Sequence, residues 1–386
     1  MMAGRIREFF GSFGPAWIVM IADVDAPSIL TAATAGAVYG YGLAWFFIIL
    51  IVPLFVIQEV SGRIGVATGM GLGEVIRTRY SRRTALLASV PMAVVDIVSY
   101  VAEYAGIAVG LGLFGVPPLV SMPVAYLVSI ALVRWRNYGS LEKILVAVTT
   151  VLILAYAGSL LARGLVASSP LYFSSTPSFL YLLAAGAGAV VMPFMLFYQA
   201  SATAQKHGTK VWAMRTETLV GATASEVGMV VIMMATAGLG SVGNLSQPGR
   251  IYLAVSSIAG SYAPYLFGAG LVAAAFVALV VISLGSSWAV VEALGWERKR
   301  FYLLYMVESL PAVVVPIVYP DPLALALGLM VAFVFVLVGP GVLMGRLASD
   351  RSVMGEHTSN APMQLAYWAC LAAVLSFGVI ALIAAL

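Results

Sequence analysis

Residues 17–33 read WIVMIADVDAPSILTAA and place two carboxylates, Asp23 and Asp25, inside an apolar stretch. A charged side chain at the centre of a membrane-inserted helix costs about 2.5–3.5 kcal/mol on insertion scales. Pro27 follows, and a proline inside a helix removes a backbone hydrogen bond and clashes with the preceding turn. One short segment therefore combines two features that an ordinary apolar helix would not tolerate.

The composition identifies the surroundings of this segment. Of the 386 residues, 62% are hydrophobic and only 9% are charged, with a mean hydropathy of +1.03. A soluble domain carries about 25% charged residues, so we predict an all-α integral membrane protein. Cys370 is the only cysteine, which excludes a disulfide framework within the chain. The net charge of +4 reflects membrane topology, and we expect no nucleic-acid partner.

The pattern of apolar segments predicts the membrane topology. A span needs about 20 predominantly apolar residues, and this rule predicts eleven spans. They are 14–38, 43–62, 84–114, 118–133, 144–166, 178–200, 211–238, 262–290, 301–318, 322–345 and 362–385. Of the 20 Lys and Arg residues, all but Arg163 and Arg250 lie before span 1 or after an even-numbered span. Basic residues concentrate in cytoplasmic connections, so we expect a cytoplasmic N-terminus and an extracellular C-terminus.

Two predicted spans are interrupted at corresponding positions. Span 1 breaks at Asp25, Ala26, Pro27 and Ser28, and span 6 breaks at Met192 and Pro193, after Gly188. Spans 1–5 and 6–10 then form two repeats within one transporter domain, 14–166 and 178–345, and 362–385 is an extra eleventh helix. Because each repeat has five spans, the second is inverted. Paired discontinuous helices indicate a transport site, and unwound backbone frees carbonyls that coordinate a cation.

Seven segments resemble the Nramp divalent-metal transporters, in the same order along nearly the whole chain. They are GPAWIVMIADVDAPS, GRIGVATGMGLGEVIRTRY, VAEYAGIAVGLGLFGVPPL, NYGSLEKIL, VVMPFMLFYQASA, LFGAGLVAAAFVAL and SDRSVMGE. The resemblance implies a LeuT-type fold of five plus five inverted helices with helices 1 and 6 broken. It also implies import of manganese or ferrous iron, which in this family is usually coupled to protons.

The resemblance also implies a metal site. Asp25 falls on the family's metal-binding aspartate, and Met192 falls on its metal-binding methionine. The family's Asp-Pro-Gly-Asn reads Asp-Ala-Pro-Ser here, so Ser28 stands where the ligand asparagine is expected. Asp23 is new relative to the family. It either adds a second carboxylate to the ion site or faces an aqueous vestibule, and the sequence leaves both open.

The proton relay of the family is depleted in this sequence. Phe194 and Gln199 replace the two histidines of span 6, and Tyr100 replaces the first acid of span 3. Histidine is the side chain whose charge changes near neutral pH, so we expect these three residues to surround the site and proton coupling to be weak or absent. In span 10, Met330 takes the place of a glutamine that helps to complete the metal site in relatives.

The remaining candidates for a proton path are Glu103, Asp96 and Glu226. Asp96 and Glu103 are seven residues apart, which is two helical turns, and therefore share one face of span 3. That geometry suits a file of protonatable groups, and it equally suits a structural network bonded to neighbouring helices.

The identity of the ion follows from the ligand types. A thioether favours Mn²⁺, Fe²⁺ or Cd²⁺ over Mg²⁺ and Ca²⁺, so we predict secondary transport of a Mn²⁺- or Fe²⁺-like cation by alternating access. Mg²⁺ transport is an alternative, because two carboxylates with Ser28 suit a partly hydrated ion and a related magnesium-transporting branch lacks the histidine relay. Symport of a small organic solute and channel-like conduction are further alternatives.

Other functional classes find no support in the spans. They contain no Ser/His/Asp set, HExxH motif or cofactor fingerprint, so we expect neither an enzyme nor a cofactor apart from the transported cation. We expect a monomer, surrounded by lipid, in the plasma membrane of a prokaryote.

Overall fold

The computed structural model describes residues 13–135, 164–238, 260–297, 300–315 and 322–385, together with isolated residues between 144 and 161. Its α-helices are α1 Pro15–Ala22, α2 Ala26–Tyr39, α3 Ala44–Thr68, α4 Leu72–Arg79, α5 Arg82–Gly112, α6 Pro118–Trp135, α7 Pro177–Val190, α8 Pro193–Gln205, α9 Val211–Thr236, α10 Ala263–Leu294, α11 Phe301–Ser309, α12 Pro322–Val336, α13 Val338–Ser349, α14 Arg351–Met354 and α15 Ala361–Ala385. No strand occurs in these ranges, which confirms the predicted all-helical class.

Capping residues set the ends of the long helices. Ser81 caps α5, because its hydroxyl accepts a hydrogen bond of 3.1 Å from the Thr84 backbone N–H. The residues that cap the C-termini of α3 and α10 are Gly69 and Gly295, with φ of 63° and 73°. Glycine adopts this left-handed conformation without the steric penalty that a Cβ imposes.

Length and composition allow six helical segments of the described chain to cross a bilayer, or eight if two bent pairs each form one span. The bent pairs are α1–α2, with an angle of 49°, and the end of α12 with α13, with an angle of 40°. Predicted spans 4 and 9 correspond to shorter apolar helices, 118–134 and 301–313. Of the 23 residues of predicted span 5, 11 lie outside the described residues. The total of eleven spans stays a prediction.

The connections predicted to be cytoplasmic lie together at one end of the molecule. Arg63 donates to the backbone carbonyl of His357 at 2.6 Å, and the guanidinium of Arg79 lies 2.7 Å from Asp350. Hydrogen bonds from Ser352 and Arg79 lower the pKa of Asp350 to about 2. This ion pair therefore stays charged throughout the physiological pH range.

Aromatic rings gather the connections at the opposite end. The ring centroids of Tyr39 and Tyr172 are 5.0 Å apart, and those of Trp45 and Phe173 are 4.7 Å apart. Tyr39 follows predicted span 1, Trp45 lies at the start of predicted span 2, and Tyr172 and Phe173 follow predicted span 5. The two ends thus collect different sets of connections.

Glycines allow backbones to approach closely in the centre of the bundle. A Cβ at Gly188 of α7 would overlap the carbonyl oxygen of Met330 in α12, and a Cβ at Gly285 of α10 would overlap the carbonyl oxygen of Phe194 in α8. Gly188, which the sequence predicts as part of a helix break, lies within α7 and sets its distance from α12. Small residues permit such close packing between membrane helices.

Adding one methyl group at Gly188 should destabilise the protein. Overpacking of a tight core typically costs about 1–3 kcal/mol, and the atom that the new Cβ would meet belongs to the backbone. We expect Gly188→Ala to lower the apparent Tm in detergent by several degrees. Gly228→Ala is the matched control, because its nearest neighbour, Val24 Cγ2, lies 4.0 Å from the new Cβ. Equal Tm values for the two variants would contradict the close approach.

Candidate metal site

The break between α1 and α2 is built by a capping carboxylate. Asp25 has an extended backbone, with φ −85° and ψ 176°, and its Oδ1 accepts a hydrogen bond of 2.7 Å from the backbone N–H of Ser28. Pro27 is the second residue of α2, where a missing N–H removes no hydrogen bond within the helix. The carboxylate and the proline are therefore both compatible with this position, because a new helix begins here.

Glu103 of α5 completes the start of α2. Its Oε2 accepts a hydrogen bond of 3.2 Å from the backbone N–H of Ala26, and its carboxyl group lies beside that of Asp25. A Cβ at Gly106 would overlap the side chain of Ala26, so α5 approaches the break closely. Glu103 is fully buried, and its Oε1 has no hydrogen-bond partner among the described residues.

The second break separates α7 from α8. Val191 and Met192 leave the helical conformation, with ψ of 78° and 134°, and Pro193 is the first residue of α8. Met192 is the N-cap residue of α8, makes no capping bond with its side chain, and is fully buried. Its thioether is thus available at the break.

Helix packing brings the two breaks to the same level. α8 packs against α1, and α7 packs against α2, so the chain crosses from one half-helix to the other at one depth in both spans. The last carbonyls of α1 and α7 lack partners within their own helices. Ser28 is fully buried as well, and its hydroxyl has no partner among the described residues.

Asp23 lies between the break and α9, because its carboxyl group interacts electrostatically with that of Asp25 and also contacts α9. Its Oδ2 accepts a hydrogen bond of 2.5 Å from the hydroxyl of Ser225. Glu226, a predicted proton-path residue, follows Ser225 directly and interacts electrostatically with Asp23. The structure therefore places Asp23 and Glu226 together. Glu226 lies on α9, whereas Glu103 lies on α5.

Asp96 belongs to a third group. It lies two turns from Glu103 along α5, beside Ser286 of α10 and Glu308 of α11. The sequence argument did not select Glu308, and its only signal was an acidic residue within a predicted span. Glu226 thus reaches Glu103 through Asp23 and Asp25, which interact with each other, whereas Asp96 lies apart with Glu308.

The three residues expected around the site connect its helices to neighbours. The ring of Tyr100 lies 5.7 Å from that of Tyr305, and the ring of Phe194 lies 5.9 Å from that of Phe333. The amide of Gln199 donates to Thr218 of α9 at 3.0 Å. Each of these three side chains therefore contacts a neighbouring helix, namely α11, α12 or α9.

The donor set can hold a cation with few charged ligands. In the described part of the chain, no group of three or more His, Cys, Asp and Glu residues lies close enough to bind a metal. A site at the breaks would use one carboxylate from Asp25, the thioether of Met192, the hydroxyl of Ser28 and backbone carbonyls.

Comparison with known proteins identifies relatives of the chain. A divalent metal cation transporter MntH of Bacillus subtilis is 33% identical over 214 residues, which are 53% of this chain and 50% of that protein. Another MntH, from Chromohalobacter salexigens, is 29% identical over 396 residues, covering 92% of this chain and 90% of the relative. The match thus spans about half the length of the Bacillus relative and nearly all of the Chromohalobacter relative.

A solved structure has the same fold. A manganese transporter of Eremococcus coleocola, crystallised with an aromatic bis-isothiourea substituted compound, superposes with a TM-score of 0.79 at 16% sequence identity, covering 96% of this chain and 86% of the other. The sequence profile of the Nramp family, described as natural resistance-associated macrophage protein-like, matches residues 16–384. The predicted resemblance is confirmed, and the chain is a multi-pass integral membrane protein that belongs to the Nramp family.

Proposed function

We propose that this protein moves a divalent cation, of the Mn²⁺ or Fe²⁺ type, across the membrane by alternating access. The observation that carries the proposal is the meeting of two helix breaks, each with a buried donor, Asp25 or Met192, at the N-cap of its second half-helix. Broken helices are tolerated in a membrane where they line a site or a cavity. The relatives that are named as divalent metal or manganese transporters support the same function.

The proposed ligands contribute different donor groups to the cation. Asp25 supplies the negative charge, and Met192 supplies a soft thioether that favours transition metals over Mg²⁺ and Ca²⁺. Ser28 adds a hydroxyl oxygen, and the C-terminal ends of α1 and α7 add carbonyl oxygens at the negative ends of their dipoles. Asp25 would repel the carboxylate of an organic solute, which makes a metal cation the better substrate.

Helix packing supports two inverted repeats. If α1, α2, α3 and α5 correspond to α7, α8, α9 and α10, a two-fold axis in the membrane plane exchanges the pair α1–α8 with the pair α2–α7. Likewise it exchanges α2–α9 with α3–α8, and all four pairs are in contact. We therefore propose that the two repeats move relative to each other around the fixed breaks.

The proposed topology has the N-terminus in the cytoplasm of a prokaryote and a monomeric protein in its plasma membrane. The clustering of basic connections supports it: Lys206 bonds the carbonyl of Phe13 at 2.5 Å, and Arg215 bonds Glu59 at 2.7 Å. Phe13 and Lys206 come from connections that the positive-inside rule assigns to the cytoplasm, and Glu59 and Arg215 lie in the helices next to them.

The charged ligand can be tested directly. Asp25→Asn keeps the shape of the side chain and removes its charge, so we expect binding of Mn²⁺ and Cd²⁺ to be lost in calorimetry, with a monodisperse elution profile in detergent. Asp96→Asn is the matched control, because Asp96 is also fully buried but lies beside Glu308. Wild-type Mn²⁺ affinity in Asp25→Asn would remove the proposed site.

The thioether can be tested through selectivity. Met192→Ala should weaken Mn²⁺ and Cd²⁺ binding more than Mg²⁺ or Ca²⁺ binding, by about tenfold or more for Cd²⁺, because only the soft ions gain from sulfur. Met233→Ala, at another fully buried methionine in α9, is the control for packing. Equal losses for all four ions would mean that Met192 packs and does not bind, and would favour Mg²⁺ as the substrate.

Proton coupling should be weak or absent. Asp96 lies with Glu308, apart from the acids near Asp25, and Tyr100, whose ordinary pKa is about 10, replaces the first acid of the family relay. In liposomes with a trapped pH dye, an imposed Mn²⁺ gradient should produce metal uptake with little internal acidification. A proton flux comparable to the metal flux, abolished by Glu103→Gln or Asp96→Asn, would show that α5 carries a relay.

A further inference from the structure

Glu226 is a buried acid whose carboxylate has no partner. It is fully buried, and neither of its oxygens accepts or donates a hydrogen bond among the described residues. One oxygen of Asp23, Oδ1, is in the same condition. Three unpartnered carboxylate oxygens in the interior of a membrane protein require an explanation, because an isolated buried charge is strongly unfavourable.

The course of α9 places these oxygens at the break. α9 runs parallel to α1 and α2. Near its start, Glu217 accepts hydrogen bonds from the backbone N–H groups of Gly14 and Trp17, at 2.6 and 2.9 Å. Ser225 bonds Asp23 two turns later, and further along α9 the carbonyl of Met233 lies against Gly36. Glu226 is therefore level with the C-terminal end of α1.

No basic side chain neutralises the pair in the described part of the chain, since the ion pairs found there involve other acids. If both carboxyl groups were protonated, each neutral acid would carry a buried O–H group that needs a hydrogen-bond acceptor. Among the described residues, the one hydrogen bond made by the two groups is that from Ser225 to Asp23. A bound cation would satisfy all three free oxygens together.

We infer that Asp23, Ser225 and Glu226 form a second cation site, made of oxygen donors only and adjacent to the site of Asp25 and Met192. Two carboxylates supply two negative charges, which match one divalent ion. Ca²⁺ takes six to eight oxygen ligands in flexible geometry, whereas Mg²⁺ keeps several of its waters. A fully buried set of two carboxylates, one hydroxyl and the last carbonyls of α1 therefore favours Ca²⁺.

The two sites differ in softness, so two probes separate them. Cd²⁺ reports on the site with Met192, and Ca²⁺ reports on the oxygen-only site. We would measure the number and affinity of bound ions by equilibrium dialysis of the full-length protein in lipid nanodiscs, with each ion alone. This design distinguishes failure of the second site from failure of the proposed transport site.

We expect Glu226→Gln to weaken Ca²⁺ binding by about tenfold or more, because it removes a charged ligand, and to leave Cd²⁺ binding unchanged. Ser225→Ala should weaken Ca²⁺ binding less, and it keeps both carboxylates should Glu226→Gln fail to fold. Asp25→Asn should abolish Cd²⁺ binding and retain the Ca²⁺ site. Glu308→Gln, at a buried acid outside both sites, is the matched control.

Two results would overturn the second site. Either the wild-type protein binds no Ca²⁺ at millimolar concentration, or its Ca²⁺ affinity is the same in Glu226→Gln and Ser225→Ala as in the wild type. Loss of the Ca²⁺ site in Asp25→Asn, with retention in Glu226→Gln, would assign Ca²⁺ to the transport site and equally overturn the inference. If Asp25→Asn leaves Cd²⁺ binding intact, the proposed transport site is wrong. Loss of Ca²⁺ binding in Glu226→Gln would still support the second site in that case.

Discussion

Every backbone N–H and C=O group inside a bilayer must find a partner within the protein, because lipid offers none. A break in a membrane helix is therefore possible only where other groups satisfy the freed backbone. In this protein, Asp25 and Glu103 take the first N–H groups of α2, those of Ser28 and Ala26. The packing of α5 follows from that need, since Glu103 reaches the break only because Gly106 lets its helix come close.

The same constraint explains the position of α9. Where α1 begins, Glu217 accepts two backbone hydrogen bonds, and where α1 ends, Ser225 bonds Asp23. One neighbouring helix thus satisfies polar groups at both ends of a half-helix that is only eight residues long. A helix of that length is marginal by itself, so α1 depends on α9 for its stability.

Much of the fold could be predicted from the sequence because its signals are local. Apolar length gives the spans, and a proline beside carboxylates gives the first break. The bend between α12 and α13 was missed, although Gly339 and Pro340 follow it directly, because the apolar pattern of 322–345 continues without a charge.

The contacts of the acids could not be predicted from sequence. Glu226 meets Asp23, and Asp96 meets Glu308, only through the arrangement of helices in space. A membrane helix is apolar on its lipid-facing side as well as on its protein-facing side, so its sequence does not mark which neighbour each side chain meets. The sequence therefore identifies the ionisable residues of the interior without assigning them to partners.

The attachment of α9 also limits how the first span can move. It holds α1 by charge-assisted hydrogen bonds through Glu217, and it holds α2 by van der Waals contact of Met233 and Thr236 with Gly36. α9 thus contacts both halves of the first span. The 49° angle between them can change only if α1 or α2 separates from α9. Hydrogen bonds to a charged group are the stronger attachment. In the proposed transport cycle we therefore expect the hinge to open on the side of α2, with α1 and α9 moving as one body.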